Sequence, residues 1–260
     1  MSSAFVWYEL MTSDAGAAQR FYASLIGWDA ADSGLPGPAY TILRTGGVRV
    51  AGLMGLPAEA CEAGATPGWI GYVGVDDCDA AAARLCECGG TVHRPPADIP
   101  GIGRFAIVAD KGGAMFALFT PMPGDRTDAQ DGRPFHPNKQ GHCGWHELYA
   151  ADGEASAFPF YARQFGWTES SRMNMGAMGN YRIFAADGVS IGGMMDKPAD
   201  MPGGAWQFYF NVDGIDAAID RIKAGGGTVL MGPHLVPGDA WIVQARDPQG
   251  AHFALLSQDR

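Results

Sequence analysis

The chain is short of basic residues, of paired cysteines and of long apolar runs, and each shortage excludes a class of protein. Its 260 residues hold 18 Lys and Arg against 28 Asp and Glu, a formal net charge of −10 at pH 7. Gripping nucleic acid or an anionic membrane requires clustered basic side chains, and no such cluster occurs, so neither is expected as a partner. No apolar run reaches the roughly 18 residues of a membrane span. The opening Met1-Ser2-Ser3-Ala4-Phe5 lacks the basic and apolar parts of a secretion signal. Five cysteines, Cys61, Cys78, Cys86, Cys88 and Cys143, form no C-x-x-C pair and have no histidines at zinc-ligand spacing. They are expected to be reduced and to pack rather than react, which points to the cytoplasm. The composition is 47% apolar and 18% charged, enough hydrocarbon for a sizeable core and too little charge for disorder. The 38 glycines follow no strict period, which excludes a fibre and assigns them to turns.

The sequence repeats itself at a spacing of about 138 residues. Trp7-Tyr8-Glu9-Leu10 returns as Trp145-His146-Glu147-Leu148, Phe21-Tyr22 as Phe160-Tyr161, Gly27-Trp28 as Gly166-Trp167, and Tyr40-Thr41-Ile42 as Tyr181-Arg182-Ile183. Trp69 answers to Trp206, and Gly89-Gly90-Thr91-Val92 to Gly226-Gly227-Thr228-Val229. Asp110, Gly113 and Phe116-Ala117-Leu118 answer to Asp247, Gly250 and Phe253-Ala254-Leu255. Two homologous domains are therefore expected, residues 1–122 and 142–260. The segment 123–141 between them, rich in Asp, Gly, Pro and Gln without apolar periodicity, reads as a linker.

A fainter period of about 65 residues divides each half. Short β-prone runs at 4–12 and 70–76 each precede an Asp placed to cap a helix, Asp14 and Asp79. Ala17, Phe21, Leu25 and Trp28 recur at helical spacing in the first helix, and Ala81, Leu85 and Cys88 in the second. Strands separated by Gly- or Pro-rich turns follow each helix, at Tyr40–Arg44, Val48–Met54, Phe105–Ala109 and Ala114–Phe119. The unit is βαβββ, present four times in an α+β chain.

Trp7 to Asp14 followed by Phe21-Tyr22 and Gly27-Trp28, together with the D-x-x-G-x-x-x-A-L endings at Asp110 and Asp247, resembles the vicinal-oxygen-chelate superfamily of glyoxalase, bleomycin-resistance and extradiol-dioxygenase proteins. The resemblance covers nearly the whole chain. It implies two tandem domains, each an open curved sheet with helices outside and a ligand cup inside. It also implies three metal-ligand positions per half: Trp7, about Ile70 and Ala117 in the first, Trp145, about Gln207 and Ala254 in the second. Gln207 alone does not outcompete water for a divalent ion, since catalytic metal sites use about three protein ligands. No metal or other cofactor is therefore expected.

Strand alternation extends the inner face, because residues two apart share a side. If Trp7 and Ala117 face inward, so do Glu9, Met11, Tyr72 and Met115, a mainly apolar set. The second half gives Trp145, Glu147, Tyr149, Gln207, Tyr209, Asn211 and His252, a more polar one, and the functional site is expected there. Trp145 and Tyr209, with the Met173-to-Met178 cluster as an adaptable rim, supply apolar contact to a small organic ligand. Glu147, Gln207, Asn211 and His252 orient it. Trp7, Glu9 and Tyr72 line the first cup. Arg182 either meets a ligand anion or stays exposed. The alternatives are a lyase or isomerase in which Glu147 removes a proton and His252 is its partner acid, and a non-catalytic interaction module.

Overall fold

The computed structural model describes residues 3–122 and 132–260. The first half runs β1 (Phe5–Thr12), α1 (Ala15–Ile26), β2 (Asp29–Asp32), β3 (Tyr40–Thr45), β4 (Val48–Gly55), a short α2 (Ala58–Glu62), β5 (Gly68–Gly74), α3 (Cys78–Glu87), β6 (Thr91–Ile99), β7 (Gly103–Ala109) and β8 (Met115–Pro121). The second half repeats this as β9 (Cys143–Ala150), α4 (Glu154–Phe165), β10 (Thr168–Asn174), β11 (Asn180–Ala186), β12 (Val189–Asp196), β13 (Ala205–Asn211), α5 (Ile215–Ala224), β14 (Thr228–Val236), β15 (Ala240–Arg246) and β16 (His252–Ser257). Four βαβββ modules are present. Their strands form two open eight-stranded sheets, ordered β2-β3-β4-β1-β5-β8-β7-β6 and β10-β11-β12-β9-β13-β16-β15-β14. The orders are identical after a shift of eight strands. Parallel pairs such as β1–β4 and β13–β16 join antiparallel hairpins, so both sheets are mixed.

The starts of α1 and α3 follow from side-chain chemistry, with one correction. Asp14 caps α1 by accepting the Ala17 amide, and Gly27 ends that helix in the left-handed conformation at φ 86°. The cap of α3 is Asp77, which accepts the Ala80 amide. Asp79, the expected cap, is the second residue of the helix and instead pairs with Arg104. Both lie at the start of the same helix, and spacing alone did not separate them.

The chain forms two compact units, each built from one module of each half. One contains β5–β8 and β9–β12 with residues 3–6; the other contains most of β1, β2–β4 and β13–β16. In the first, the Tyr161 hydroxyl on α4 donates to Asp110 Oδ2 at 2.8 Å and accepts the Trp206 indole N–H at 3.1 Å. Asp110 Oδ1 meanwhile accepts the amides of Gly112 and Ala114, which closes its own turn. The second unit repeats the device: Tyr22 on α1 donates to Asp247 Oδ2 at 3.1 Å and accepts from Trp69 at 3.0 Å, while Asp247 Oδ1 holds the amides of Gln249 and Ala251. Burial raises the carboxyl pKa of both aspartates above the ordinary range. The Gly-Trp indoles are anchored alike, Trp28 to the Gly141 carbonyl at 2.7 Å and Trp167 to that of Ser3 at 2.6 Å. The repeated Gly-Gly pair has a steric cause: a β-carbon at Gly90 or Gly227 would overlap the Leu85 or Ile222 side chain of the preceding helix.

Of the expected linker, residues 123–131 lie outside the described residues. Residues beyond them are anchored. The amide of His136 donates to the Cys143 carbonyl, and the Asn211 side chain donates to the carbonyls of His136 and Lys139 at 2.8 and 3.0 Å. No disulfide joins any of the five cysteines. Among the described residues no helix is long and apolar enough to cross a membrane.

Candidate functional site

On β1, Tyr8 packs against Phe208 and Phe210, so alternation turns Trp7, Glu9 and Met11 to the opposite face. There the Trp7 indole N–H donates to the Tyr40 hydroxyl at 2.9 Å, and that hydroxyl is hydrogen-bonded to Glu9. The other half repeats this arrangement: Trp145 donates to Tyr181 at 2.8 Å, and Tyr181 is bonded to Glu147. An indole can only donate, so the tyrosine oxygen must accept from it and its single proton is directed to the carboxylate. Burial, then the neighbouring Glu9 or Glu147 charge, pushes the Tyr40 and Tyr181 hydroxyls well above their ordinary pKa, so they remain protonated donors.

How a tyrosine on β3 reaches a glutamate on β1 is a matter of register. The intervening strand is β4, and the residue it sets beside Glu9 is Gly52. A β-carbon at Gly52 would overlap the Tyr40 ring and hydroxyl. Gly193 lies beside Glu147 in the same way, and a β-carbon there would overlap Tyr181. The glycine is a gap in the strand through which the tyrosine crosses. Trp, Glu, Tyr and Gly thus form one four-residue device, built once per half at 7, 9, 40, 52 and 145, 147, 181, 193. Both glutamates are 7% exposed, and both indoles are partly exposed.

The remaining expected residues are distributed more widely. Tyr72 on β5 is buried in register with Ala117, near Phe105 and Phe119. Tyr209 on β13 is in register with Ala254, and its hydroxyl accepts the Gln244 side-chain amide at 2.7 Å. Gln207 is buried on the same strand. Asn211, two residues beyond Tyr209, spends its amide protons on the carbonyls of His136 and Lys139. His252 opens β16, exposed, opposite Arg246; partial desolvation and the Arg246 charge lower its pKa. Glu147 and His252 belong to different compact units.

His146 faces away from Glu147, fully buried and stacked on Phe5 at 4.3 Å, with Nδ1 bonded to the Ile191 carbonyl at 2.5 Å. Burial lowers its pKa to about 3. Arg182 is neither a ligand contact nor an exposed cation. It is buried between Glu154 and Glu169 with its guanidinium over the Phe158 ring. Of the methionine cluster, Met173 and Met175 are half-buried and Met178 is exposed.

Tyr40, Tyr181, Gly52, Gly193 and Gln244 are the residues that sequence reasoning missed. The tyrosines were visible as a matched pair, but nothing in a sequence says that a tyrosine crosses a neighbouring strand.

The positions that the resemblance assigns to metal ligands carry an indole, an aliphatic chain and a methyl in one half, and an indole, an amide and a methyl in the other. This donor set does not fit a divalent ion. Among the described residues no three His, Cys, Asp or Glu side chains group as a metal site.

The chain is 35% identical over 254 residues to "Putative glyoxylase CFP32" of Mycobacterium tuberculosis (strain CDC 1551 / Oshkosh), covering 96% of this chain and 93% of that one. It is 27% identical over 267 residues to "Anthracycline biosynthesis protein DnrV" of Streptomyces peucetius, covering 96% and 91%. Among solved structures it resembles the Mn(II)-bound glyoxalase from Novosphingobium aromaticivorans, with a TM-score of 0.65, 15% identity, and 100% and 83% of the two chains covered. It also resembles 2,2',3-trihydroxybiphenyl 1,2-dioxygenase from Sphingomonas wittichii strain RW1, with a TM-score of 0.66, 15% identity, and 99% and 91% covered. These two structural likenesses establish a shared fold alone. The family model for the Glyoxalase/Bleomycin resistance protein/Dioxygenase superfamily matches residues 4–118 and 139–255. With two matched regions, four modules and a full-length relative above 30% identity, the chain belongs to the Glyoxalase/Bleomycin resistance protein/Dioxygenase superfamily.

Proposed function

We propose that the chain binds a small organic molecule against the Glu147 face of β9, without the divalent ion of its metal-dependent relatives. The observation that carries this reading is the Trp145–Tyr181–Glu147 chain, which fixes a buried carboxylate two residues from Trp145, the position that the family resemblance assigns to a metal ligand. Burying a carboxylate costs several kcal/mol unless it is hydrogen-bonded. A scaffold that keeps one on a strand face, oriented by a dedicated tyrosine, has the form of a recognition group. The partly exposed Trp145 indole offers flat apolar contact next to it. A relative named for anthracycline biosynthesis supports an organic ligand.

The test is ligand-induced stabilisation of the full chain, beginning with an anthracycline and extending through aromatic organic molecules, each with and without EDTA. A ligand at 100 times its Kd stabilises by about 2.7 kcal/mol. That gain is expected to survive chelation and to need about tenfold more ligand in Glu147→Gln. Stabilisation that depends on an added divalent ion, or that Glu147→Gln leaves unchanged, refutes the reading.

A further inference from the structure

The methionine-rich turn between β10 and β11 takes no part in the Glu147 reading, and its sulfur has no counterpart in the other half. Three of the chain's 12 methionines, Met173, Met175 and Met178, fall within six residues, whereas the matching connection between β2 and β3, residues 33–39, contains only Ser, Gly, Leu, Pro and Ala. Met178 is 56% exposed and Met173 and Met175 are half-buried, so solvent reaches all three. Single exposed apolar side chains are ordinary, as at Met115; three thioethers gathered in one turn have another cause.

The turn holds these residues close. Met173 is in register with Tyr181 and Asn174 with Asn180, the last pair of the hairpin. Beyond it the Met175 amide donates to the Gly179 carbonyl at 2.8 Å and the Met178 amide to the Met175 carbonyl at 3.3 Å, while the Asn174 side chain accepts the Gly176 amide at 2.9 Å. Gly176 and Gly179, at φ 63° and 81°, permit the reversal. Met175 therefore lies about 7 Å along the chain from Met173 and within about 7 Å of Met178 across the turn. Methionine is unbranched with three rotatable bonds, so side chains rooted at these separations can meet on one ion.

We propose that this turn binds one copper(I) ion through the thioethers of Met173, Met175 and Met178. The ion class follows from the donor. A thioether is soft and uncharged, which favours copper(I) over hard ions such as magnesium or manganese, and zinc takes Cys, His or carboxylate instead. It has no proton to lose, so its affinity, unlike that of a thiol or imidazole site, does not follow pH. The chain's net charge of −10 attracts a cation. The site uses none of the positions that the family resemblance assigns to a divalent ion.

The experiment follows the methionine methyl resonances of the full chain, ¹³C-labelled at those methyls, during anaerobic titration with copper(I) in ascorbate. Exposed thiols, Cys61 and Cys86 among them, are first alkylated with iodoacetamide so that thiolates do not compete. The Met173, Met175 and Met178 signals are expected to shift together and to saturate at one equivalent, ahead of the exposed Met115 and Met231, and equally at about pH 7 and about pH 5. Zinc is expected to leave them in place. Met178→Leu is expected to raise the midpoint about tenfold or more, since losing even an outer partner of a ligand costs about 10–100-fold in metal affinity. Cluster signals that stay still, that move no earlier than Met115, that follow zinc equally, or that lose their response at the lower pH overturn the proposal, as does an unchanged midpoint in Met178→Leu. Should that variant fail to fold, Met175→Leu replaces it with the same rise expected, and an unchanged midpoint there overturns the proposal too.

Discussion

Replacing Tyr161 with Phe removes a single oxygen from the core, and the structure indicates how much should be lost. The hydroxyl donates to Asp110 at 2.8 Å and accepts from Trp206 at 3.1 Å, with all three side chains buried. A hydrogen bond to a charged group contributes about 1.5–3 kcal/mol, and an orphaned buried donor costs about 1–3 kcal/mol. Because the phenyl ring keeps its stacking on Trp167, the loss at neutral pH is expected near 3 kcal/mol. The pH dependence is the sharper part. Asp110 has a folded pKa raised above its unfolded value, so the stability associated with its neutral form is present below about 3.8 and is lost as pH rises through the folded pKa. Deleting a donor that favours the carboxylate raises that pKa further, so the penalty is concentrated in the charged form. Urea unfolding is therefore expected to show a deficit of about 3 kcal/mol at pH 7.5 that shrinks to about 1 kcal/mol near pH 4. A deficit that is the same at both pH values would refute the assignment of Tyr161 as the donor to an ionised Asp110.

Two further predictions address the other site-bearing elements. Gly193→Ala pushes a methyl into the Tyr181 ring; it is expected to cost about 1–3 kcal/mol and to move the Trp145 indole resonance while leaving Trp7 in place, and an unmoved Trp145 signal would sink the strand-crossing account. His146, depressed to about 3 in the folded chain against 6.5 unfolded, contributes stability that is present above about 6.5 and lost as pH falls toward 3, on the order of 4–5 kcal/mol from 6.5 − 3 pKa units. His146→Leu should flatten that part of the acid limb even though it lowers stability at pH 7, and an unaltered slope between pH 6.5 and 4 would show that His146 does not set it.

The fold was legible because the two halves print the same markers in the same order, and the structure gives nearly every marker a mechanical duty. Phe-Tyr, Gly-Trp and D-x-x-G are repeated because Tyr22 meets Asp247, Tyr161 meets Asp110, and each indole closes on a backbone carbonyl. The facing of Trp145 and Glu147 was legible from strand period. Their link was not, since it depends on which residue of β12 lies beside Glu147. Arg182 was misjudged for a related reason: its partners, Glu154 and Glu169, come from a helix and a strand that no local pattern connects to it. Asn211 shows the limit of alternation, which gives the side a residue faces and not the neighbour that is already waiting there.

The exchanged tyrosine–aspartate contacts bear on how such a doubled gene can change. Because the helix of each half is fastened to the turn of the other, a substitution in either copy is felt at once by its twin, and neither is free to wander at these places. Positions outside the fastening carry no such obligation: where one half keeps Ile107 beside Ala117, the other has Gln244 beside Ala254. At these strand positions the two copies have parted, while the tyrosine, the aspartate and the turn that fasten the halves have been kept in both.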